Sequence, residues 1–292
     1  MKQRMIVAAV LLALNASAQA EEPATMAEVV VTGEKLQPLP DVGTVREQGI
    51  ASRRASTSDT ASMLDGQPGV SLYGAGGVSS LPAIHGLADD RIRTKLDGMD
   101  LIASCPNHMN PPLSYVDPSN VDVIKVYAGI APVSVGGDSI GGTIVVETQA
   151  PEFAAEGQEP IAKGEAGAFY RSNNKAKGAN VAAVFATEQF NISYAGSTSK
   201  ADNYSAGGDF KDYEFTGRLG HTLPRDEVGS TAYLTRNHTL GMAFRMGGDL
   251  FEAKLGLQDM PYQLYPNQRM DLLGNDQKSL NLRYLGQQDW GS

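Results

Sequence analysis

The chain has one cysteine, one tryptophan and four histidines in 292 residues. Each shortage excludes something. A single cysteine cannot close an intramolecular disulfide, so no disulfide framework holds the fold. No apolar run approaches the roughly 20 residues a transmembrane helix needs. Positive charge is also short: 24 Lys and Arg stand against 33 Asp and Glu, a net charge of -9. An acidic chain of this kind is a poor partner for nucleic acid.

What is present begins with MKQRMIVAAVLLALNASAQA. Lys2 and Arg4 form a positive start, Met5 to Leu14 an apolar centre, and Ala18-Gln19-Ala20 a small-residue cleavage site. The apolar part is too short to span a bilayer, so residues 1–20 are expected to be a removable secretory signal peptide. Cleavage after Ala20 removes two positive charges and no negative ones, taking the net charge from -9 to -11. The segment after it carries Glu28-Val29-Val30-Val31-Thr32-Gly33, a β-branched run before a Pro-ended stretch. Such a run is either a first strand or a strand that adds to the exposed sheet edge of a partner.

An odd cysteine in an exported chain is buried, paired between chains or occupied by a ligand. Cys105 lies in SCPNHMNPP (104–112), with His108 three residues on and Met109 four. Thiolate and thioether sulfur are soft donors that select Cu(I), and imidazole suits either copper state. On a helical turn, positions i and i+4 share a face, so the two sulfurs would converge. Pro106 suits the first turn of a helix, and Pro111 and Pro112 would end it. The plainer alternative is a buried free thiol, a packing methionine and a solvated histidine. Met99 is expected in the core, with a reserve-donor role as its alternative. A thiol enzyme is disfavoured because Cys105 and His108 are too close to act as nucleophile and oriented base without a third group.

Up to about Pro151, apolar runs mix with turns. Residues 57–68 predict a short helix capped by Ser58 or Asp59, with Met63 and Leu64 buried and Gly66 ending it. Strands are predicted at Gly69 to Tyr73, at Arg91 to Leu96 before an Asp97-Gly98 turn, at Val121 to Tyr127 and at Thr143 to Thr148. After Pro151, segments of about ten residues alternate in polarity, at 163–172, 178–187, 189–198, 230–239, 240–246, 251–259 and 278–286. Asn173-Asn174, Gly207-Gly208 and Gly247-Gly248 punctuate them. That alternation is the pattern of a transmembrane β-barrel, and a soluble sandwich would look similar.

Three motifs in order resemble those of TonB-dependent outer-membrane receptors. Glu28 to Gly33 is similar to a TonB box. IHGLADDRIRTKLDGMDL (84–101) resembles the plug's Ile-Arg-Gly strand, later arginine and Leu-Asp-Gly turn, carried here by Gly86, Arg91, Asp97 and Gly98. VDVIKVYAGIAPVSVGGDSIGGTIVVET (121–148) resembles the plug's closing motif, with Gly141 and Gly142 in its Gly-Gly step. The chain departs from the pattern with His85 for the usual arginine and Lys125 for the usual glutamate, which implies ion pairs of its own. Within the family, CPNHMNPPLSYV and LQDMPYQLYPNQRMDLLGN (257–275) are most similar to the TonB-dependent copper receptors.

The resemblance implies an α+β plug domain followed by the N-terminal part of an antiparallel transmembrane β-barrel of the 22-stranded type, incomplete here. The division it implies is a signal peptide over 1–20, TonB box and linker over 21–40, plug over 41–150 and the first barrel strands over 151–292. The implied function is binding of copper, as an ion or small complex, and its import across the bacterial outer membrane, energised by TonB of the inner membrane. Outer-membrane lipid would surround the wall. No enzymatic cofactor and no nucleic-acid partner are expected. Cys105, Met109 and His108 are the expected plug-side metal ligands. Met242, Met246, Met260 and Met270, with His238, are the candidates from the wall, and a His-x-Met donor pair is expected past Ser292. The alternatives are a receptor of the same fold for an iron siderophore or other metal chelate, and a passive porin or adhesin, which would have no use for an energy-coupling strand. About seven strands do not close such a barrel, so the chain is expected to be a truncated copy that forms no working channel by itself.

Overall fold

The computed structural model describes residues 43–286, apart from 106, 130, 137–138 and 267–269. The expected signal peptide, the linker over 21–40 and the Glu28–Gly33 box lie outside the described residues.

The first half builds a small mixed sheet. Strand β1 (Gly43–Arg46) runs into helix α1 (Glu47–Arg54), which composition did not foretell because EQGIASRR has no apolar stripe. It is held by tertiary contacts instead. Ile50 is fully buried, and the Arg54 guanidinium donates to the carbonyls of Pro118 and Val121 at 3.3 and 3.1 Å. The helix predicted over 57–68 is a 3-10 turn, Thr60–Leu64, with Met63 and Leu64 buried as expected. Its cap is Asp59, whose side chain accepts from the Ala61 N–H. Strands β2 (Val70–Tyr73) and β3 (Leu81–Ile84) pair with each other. Then β4 (Ile92–Leu96), β5 (Met99–Asp100), β6 (Val123–Ala128) and β7 (Gly142–Glu147) join β1 in the order β1-β6-β7-β4-β5, with β4 and β7 parallel.

The core of this unit is Ile50, Met63, Leu64, Ile84, Leu113, Ile124, Ile144 and Val146, all fully buried. Gly142 is where glycine is required: its φ is +134°, and a Cβ there would overlap the Tyr127 carbonyl oxygen on the neighbouring strand. The expectation of private ion pairs holds at Lys125, which reaches Glu147 on β7 at 2.7 Å. The predicted Leu-Asp-Gly turn is the β4–β5 hairpin, with Asp97 and Gly98 both at positive φ.

Burial pushes the Asp59 carboxyl up to about 6, against hydrogen bonds from Ser80 and Ala61. A carboxyl that binds its proton more tightly folded than unfolded stabilises the fold when protonated. That contribution is fully present below about 3.8 and is lost as pH rises through about 6. Asp59→Asn is therefore expected to raise stability near neutral pH, by up to about 3 kcal/mol. It should also flatten the stability profile in mildly acidic solution, measured by denaturant unfolding across that window.

The second half is one antiparallel sheet. Its strands are β8 (Ile161–Arg171), β9 (Ala176–Ala186), β10 (Phe190–Ala201), β13 (Tyr233–Met246), β14 (Asp249–Gln263) and β15 (Asn275–Leu285), hydrogen-bonded in chain order. A small hairpin of β11 (Tyr204–Ser205) and β12 (Glu227–Val228) fills the long β10–β13 connection. The segments predicted separately at 230–239 and 240–246 are one strand, so the sheet has six strands among the described residues, where about seven were expected.

Register fixes which face is which. Side chains alternate along each strand, and one set meets the plug. Arg171 donates to Ser58 at 2.7 Å, Asn237 to Asp117 at 3.2 Å, Gln258 to the Ser114 carbonyl at 3.0 Å and Asn281 to the Asp97 carbonyl at 2.9 Å. Thr239 accepts from Asn120 at 3.0 Å. The opposite set includes Val181, Phe185, Phe190, Met242, Phe244, Phe251, Leu255, Leu280, Leu282 and Tyr284, all exposed. A polar face on the plug and a bare apolar face behind it is the division of a barrel wall between lumen and lipid.

Candidate functional site

Residues 104–110 leave the β4–β5 hairpin as a loop tied at its neck. Ser104 N–H donates to the Tyr115 hydroxyl at 3.1 Å, and that hydroxyl donates to Ser104 Oγ at 2.8 Å. Asn110 Nδ2 donates to both, at 2.6 Å to Tyr115 and 2.9 Å to Ser104. The two ends of the loop are thus clamped to one buried phenol, and Cys105 to Met109 bulges between them. Neither Ser104, Asn110 nor Tyr115 was singled out from the sequence; the signal available was an Asn and a Tyr bracketing the two prolines.

The loop is not the helical turn that the i, i+4 spacing predicted. His108 N–H closes on the Cys105 carbonyl at 2.9 Å, a β-turn, and His108 itself sits at φ +52°. A left-handed residue breaks any helix, so the shared helical face is replaced by a tight turn. The prolines do the reverse of what was expected. Pro111 caps and Pro112 begins a 3-10 turn over Pro112–Tyr115, where the missing proline N–H has no partner to lose. Pro106 lies outside the described residues.

Cys105 is a free, half-buried thiol and Met109 is buried. His108 is mostly shielded and faces Asp89 and Asp90, with its ring nitrogens 3.9 and 3.8 Å from their carboxylates. Its Nδ1 has no hydrogen-bond partner, and neither has the fully buried Asn110 Oδ1. Unpaired buried polar atoms are uncommon enough to mark a place built for something else. Met99 is half-buried on β5, opposite Leu96.

A buried tyrosine after β14 was missed by sequence reasoning. Tyr265 follows β14, is fully buried, and has a hydroxyl with no partner. Burial pushes its phenol well above the ordinary range, and the charges of Cys105, Tyr115 and Asp271 push it the same way. Asp271 Oδ1 accepts its backbone N–H at 3.2 Å. Gln263, two residues earlier, is also fully buried with both side-chain polar atoms unpaired.

Four of the wall candidates are corrected by the register. Met242 and Met246 are on the exposed outer face, in line with Phe244, and cannot reach the plug. His238 is on that same outer face, where its Nδ1 bonds the Tyr194 hydroxyl at 2.8 Å. Met260 points inward but is locked in a packed cluster with Val78, Ala176, Ala201 and Tyr233. Met270 alone of the five is exposed on the 264–274 loop that carries Tyr265.

The plug motif residues keep the places their chemistry asks for. Gly86 and Gly98 take φ +80° and +88°, Gly141 N–H bonds the Arg91 carbonyl at 2.7 Å, and the exposed Arg91 side chain approaches Asp89 at 4.0 Å. Residues 38–143 match the family model described as the TonB-dependent receptor plug domain. This chain carries a TonB-dependent receptor plug. No curated protein matches it. Among solved structures, the plug and its wall are similar to the copper transporter OprC, at 22% identity and TM-score 0.66, over 84% of this chain and 34% of that one. They are similar also to the FrpB iron transporter of Neisseria meningitidis, at 16% identity and TM-score 0.62, over 84% and 36%. The ferric enterobactin receptor of Pseudomonas aeruginosa matches at 17% identity and TM-score 0.61, over 87% and 39%. The chain thus spans little more than a third of the receptors it matches, and what it shares with them is the fold: a plug against an antiparallel wall that is incomplete as a barrel.

Proposed function

We propose that this chain belongs to an outer-membrane receptor that binds copper at the apex of its plug and, coupled to TonB through Glu28 to Gly33, imports it into the periplasm. The observation that carries the reading is the clamped loop, which holds a thiol and a thioether four residues apart. Cys105 and Met109 are the soft donors. His108 lies near Asp89 and Asp90 and serves as an orienting neighbour or third ligand. Among the wall methionines, Met270 is the one free to approach from above. In this reading the site faces the end of the wall where Tyr265 and Met270 follow β14. At the opposite end, residues following the plug pack on the short turns, where Asn191 donates to the Glu152 carbonyl at 2.8 Å. Cargo would therefore meet the sulfurs before the plug, and strand exchange by TonB would act from the far side as a partial order–disorder change. The chain is a receptor and no step of this reading requires an enzyme.

The competing reading is a ferric-chelate receptor of the same fold. An anaerobic competition titration separates the two. Stoichiometric Cu(I) uptake with no measurable ferric-siderophore binding is the expected result; ferric-chelate binding without Cu(I) uptake would reverse the assignment.

A further inference from the structure

The outer face of the wall can be read row by row from the strand pairing. One row runs Phe190, Phe244, Phe251, Tyr284, and the next Phe185, Ile192, Met242, Ala253, Leu282. Above them lies Ala183, Tyr194, Leu240, Leu255, Leu280, and charge then begins with His238 and Lys278. Arg236, Asp259 and Asp276 follow, with Arg236 satisfied by Asp259 at 2.6 Å. The uppermost row is Tyr170, Lys177, Lys200, Leu234.

That last row contains an anomaly. Lys177 and Lys200 are direct cross-strand partners on the same face, and both are exposed. Like charges placed opposite each other in a sheet are destabilising. In an acidic protein a carboxylate is the cheap remedy, yet neither lysine has an ion-pair partner among the described residues. Asp202, two residues past Lys200, bonds through its backbone N–H to the Asn174 carbonyl and forms no ion pair with either lysine among the described residues. Tyr170, in register with Lys177 and largely exposed, adds a phenol beside the pair. The pair stands at the loop end of the wall, three rows above the purely apolar band. A side chain there is at the depth of lipid headgroups, where lysines attract anionic lipid.

We propose that Lys177 and Lys200, with Tyr170, form a site for the phosphate-bearing headgroup of a lipid in the outward-facing leaflet. The headgroup supplies the missing anion between the two ammonium groups, and its acyl chains lie over the exposed Ala179 and Val181 of the rows beneath. The site is separate from Cys105 and goes beyond the copper reading.

The probe is phosphatidic acid, present as a minor component of phosphatidylcholine vesicles holding the full chain. Lipid retained after detergent extraction is counted by native mass spectrometry. Lys177→Gln with Lys200→Gln is expected to lower retention about thirtyfold, the product of two lysine–headgroup contacts. Lys211→Gln, in the loop away from the wall, should leave retention unchanged. Lys177 and Lys200 are exposed, and an unaltered Cu(I) titration and circular dichroism spectrum would show the fold intact. Equal retention in the double variant overturns the proposal. So does displacement of the lipid by inorganic phosphate at matched concentration, which would assign the pair to a free anion.

Discussion

Replacing Cys105 with serine is expected to lower Cu(I) affinity by two orders of magnitude or more, and Met109→Leu by about one to two. The asymmetry follows from the donors. A thiolate brings charge as well as softness, whereas a thioether brings softness alone. Serine keeps the size and the half-buried setting of Cys105 but offers a hard oxygen, so the loss reads ligation and not packing. Leucine likewise conserves the buried volume of Met109, whose core-like position would make an alanine ambiguous. His108→Gln should give a smaller loss, since imidazole is the least soft donor of the three and the ring lies near the carboxylates of Asp89 and Asp90. Equal affinities in all three variants and the parent would remove this loop from the metal site while leaving the receptor fold untouched.

The second large effect concerns how the plug is seated. Lys254 of the wall donates to Asp97 Oδ2 at 3.0 Å and to Thr148 Oγ1 at 2.6 Å, and both charged side chains are largely shielded from solvent. Asp97 also accepts from the Thr148 N–H and hydroxyl, at 2.9 and 2.7 Å. One carboxylate therefore joins the β4–β5 hairpin, the end of β7 and the wall. Most other plug–wall bonds described above are between neutral groups, so this pair is the strongest single electrostatic tie in the set. Lys254→Met leaves a shielded carboxylate without its counter-ion, and losses of about 3 kcal/mol are typical of such half-removed pairs. The expected result is earlier release of the plug in denaturant and faster proteolysis of the 97–148 region. Adding Asp97→Asn should restore part of the loss, because the uncompensated charge is then gone. A Lys254→Met variant within about 0.5 kcal/mol of the parent would show that the tie contributes nothing.

Much of the fold was legible because its parts are marked by local chemistry. The Asp97-Gly98 hairpin, the Gly-Gly step before β7 and the capped turn at Asp59 each sit where a left-handed or extended residue was demanded. Other parts were hidden for identifiable reasons. The segments expected at 230–239 and 240–246 are one strand through Gly241; a Cβ there would press on Ser193 Oγ, so the glycine serves a close cross-strand approach inside a continuous strand. Helix α1 carries no apolar period and exists through Ile50 and Arg54. In the candidate site, residue types pointed to Cys105 and Met109, but spacing suggested a helix where His108 makes a β-turn. Alternation along a strand says that two faces differ, not which one meets the plug. Met242, Met246 and His238 could be placed only once Asn237, Gln258 and Lys254 had fixed the inner face. Tyr265 was invisible because nothing local marks a tyrosine after a strand end as one that will be fully buried with an unpaired hydroxyl.

The central claim is that sulfur from this loop holds the cargo. Copper-edge X-ray absorption on the Cu(I)-loaded protein tests it directly. A sulfur shell that loses one scatterer in Met109→Leu and another in Cys105→Ser is the predicted result; a shell of nitrogen and oxygen alone, unchanged by either substitution, would contradict it.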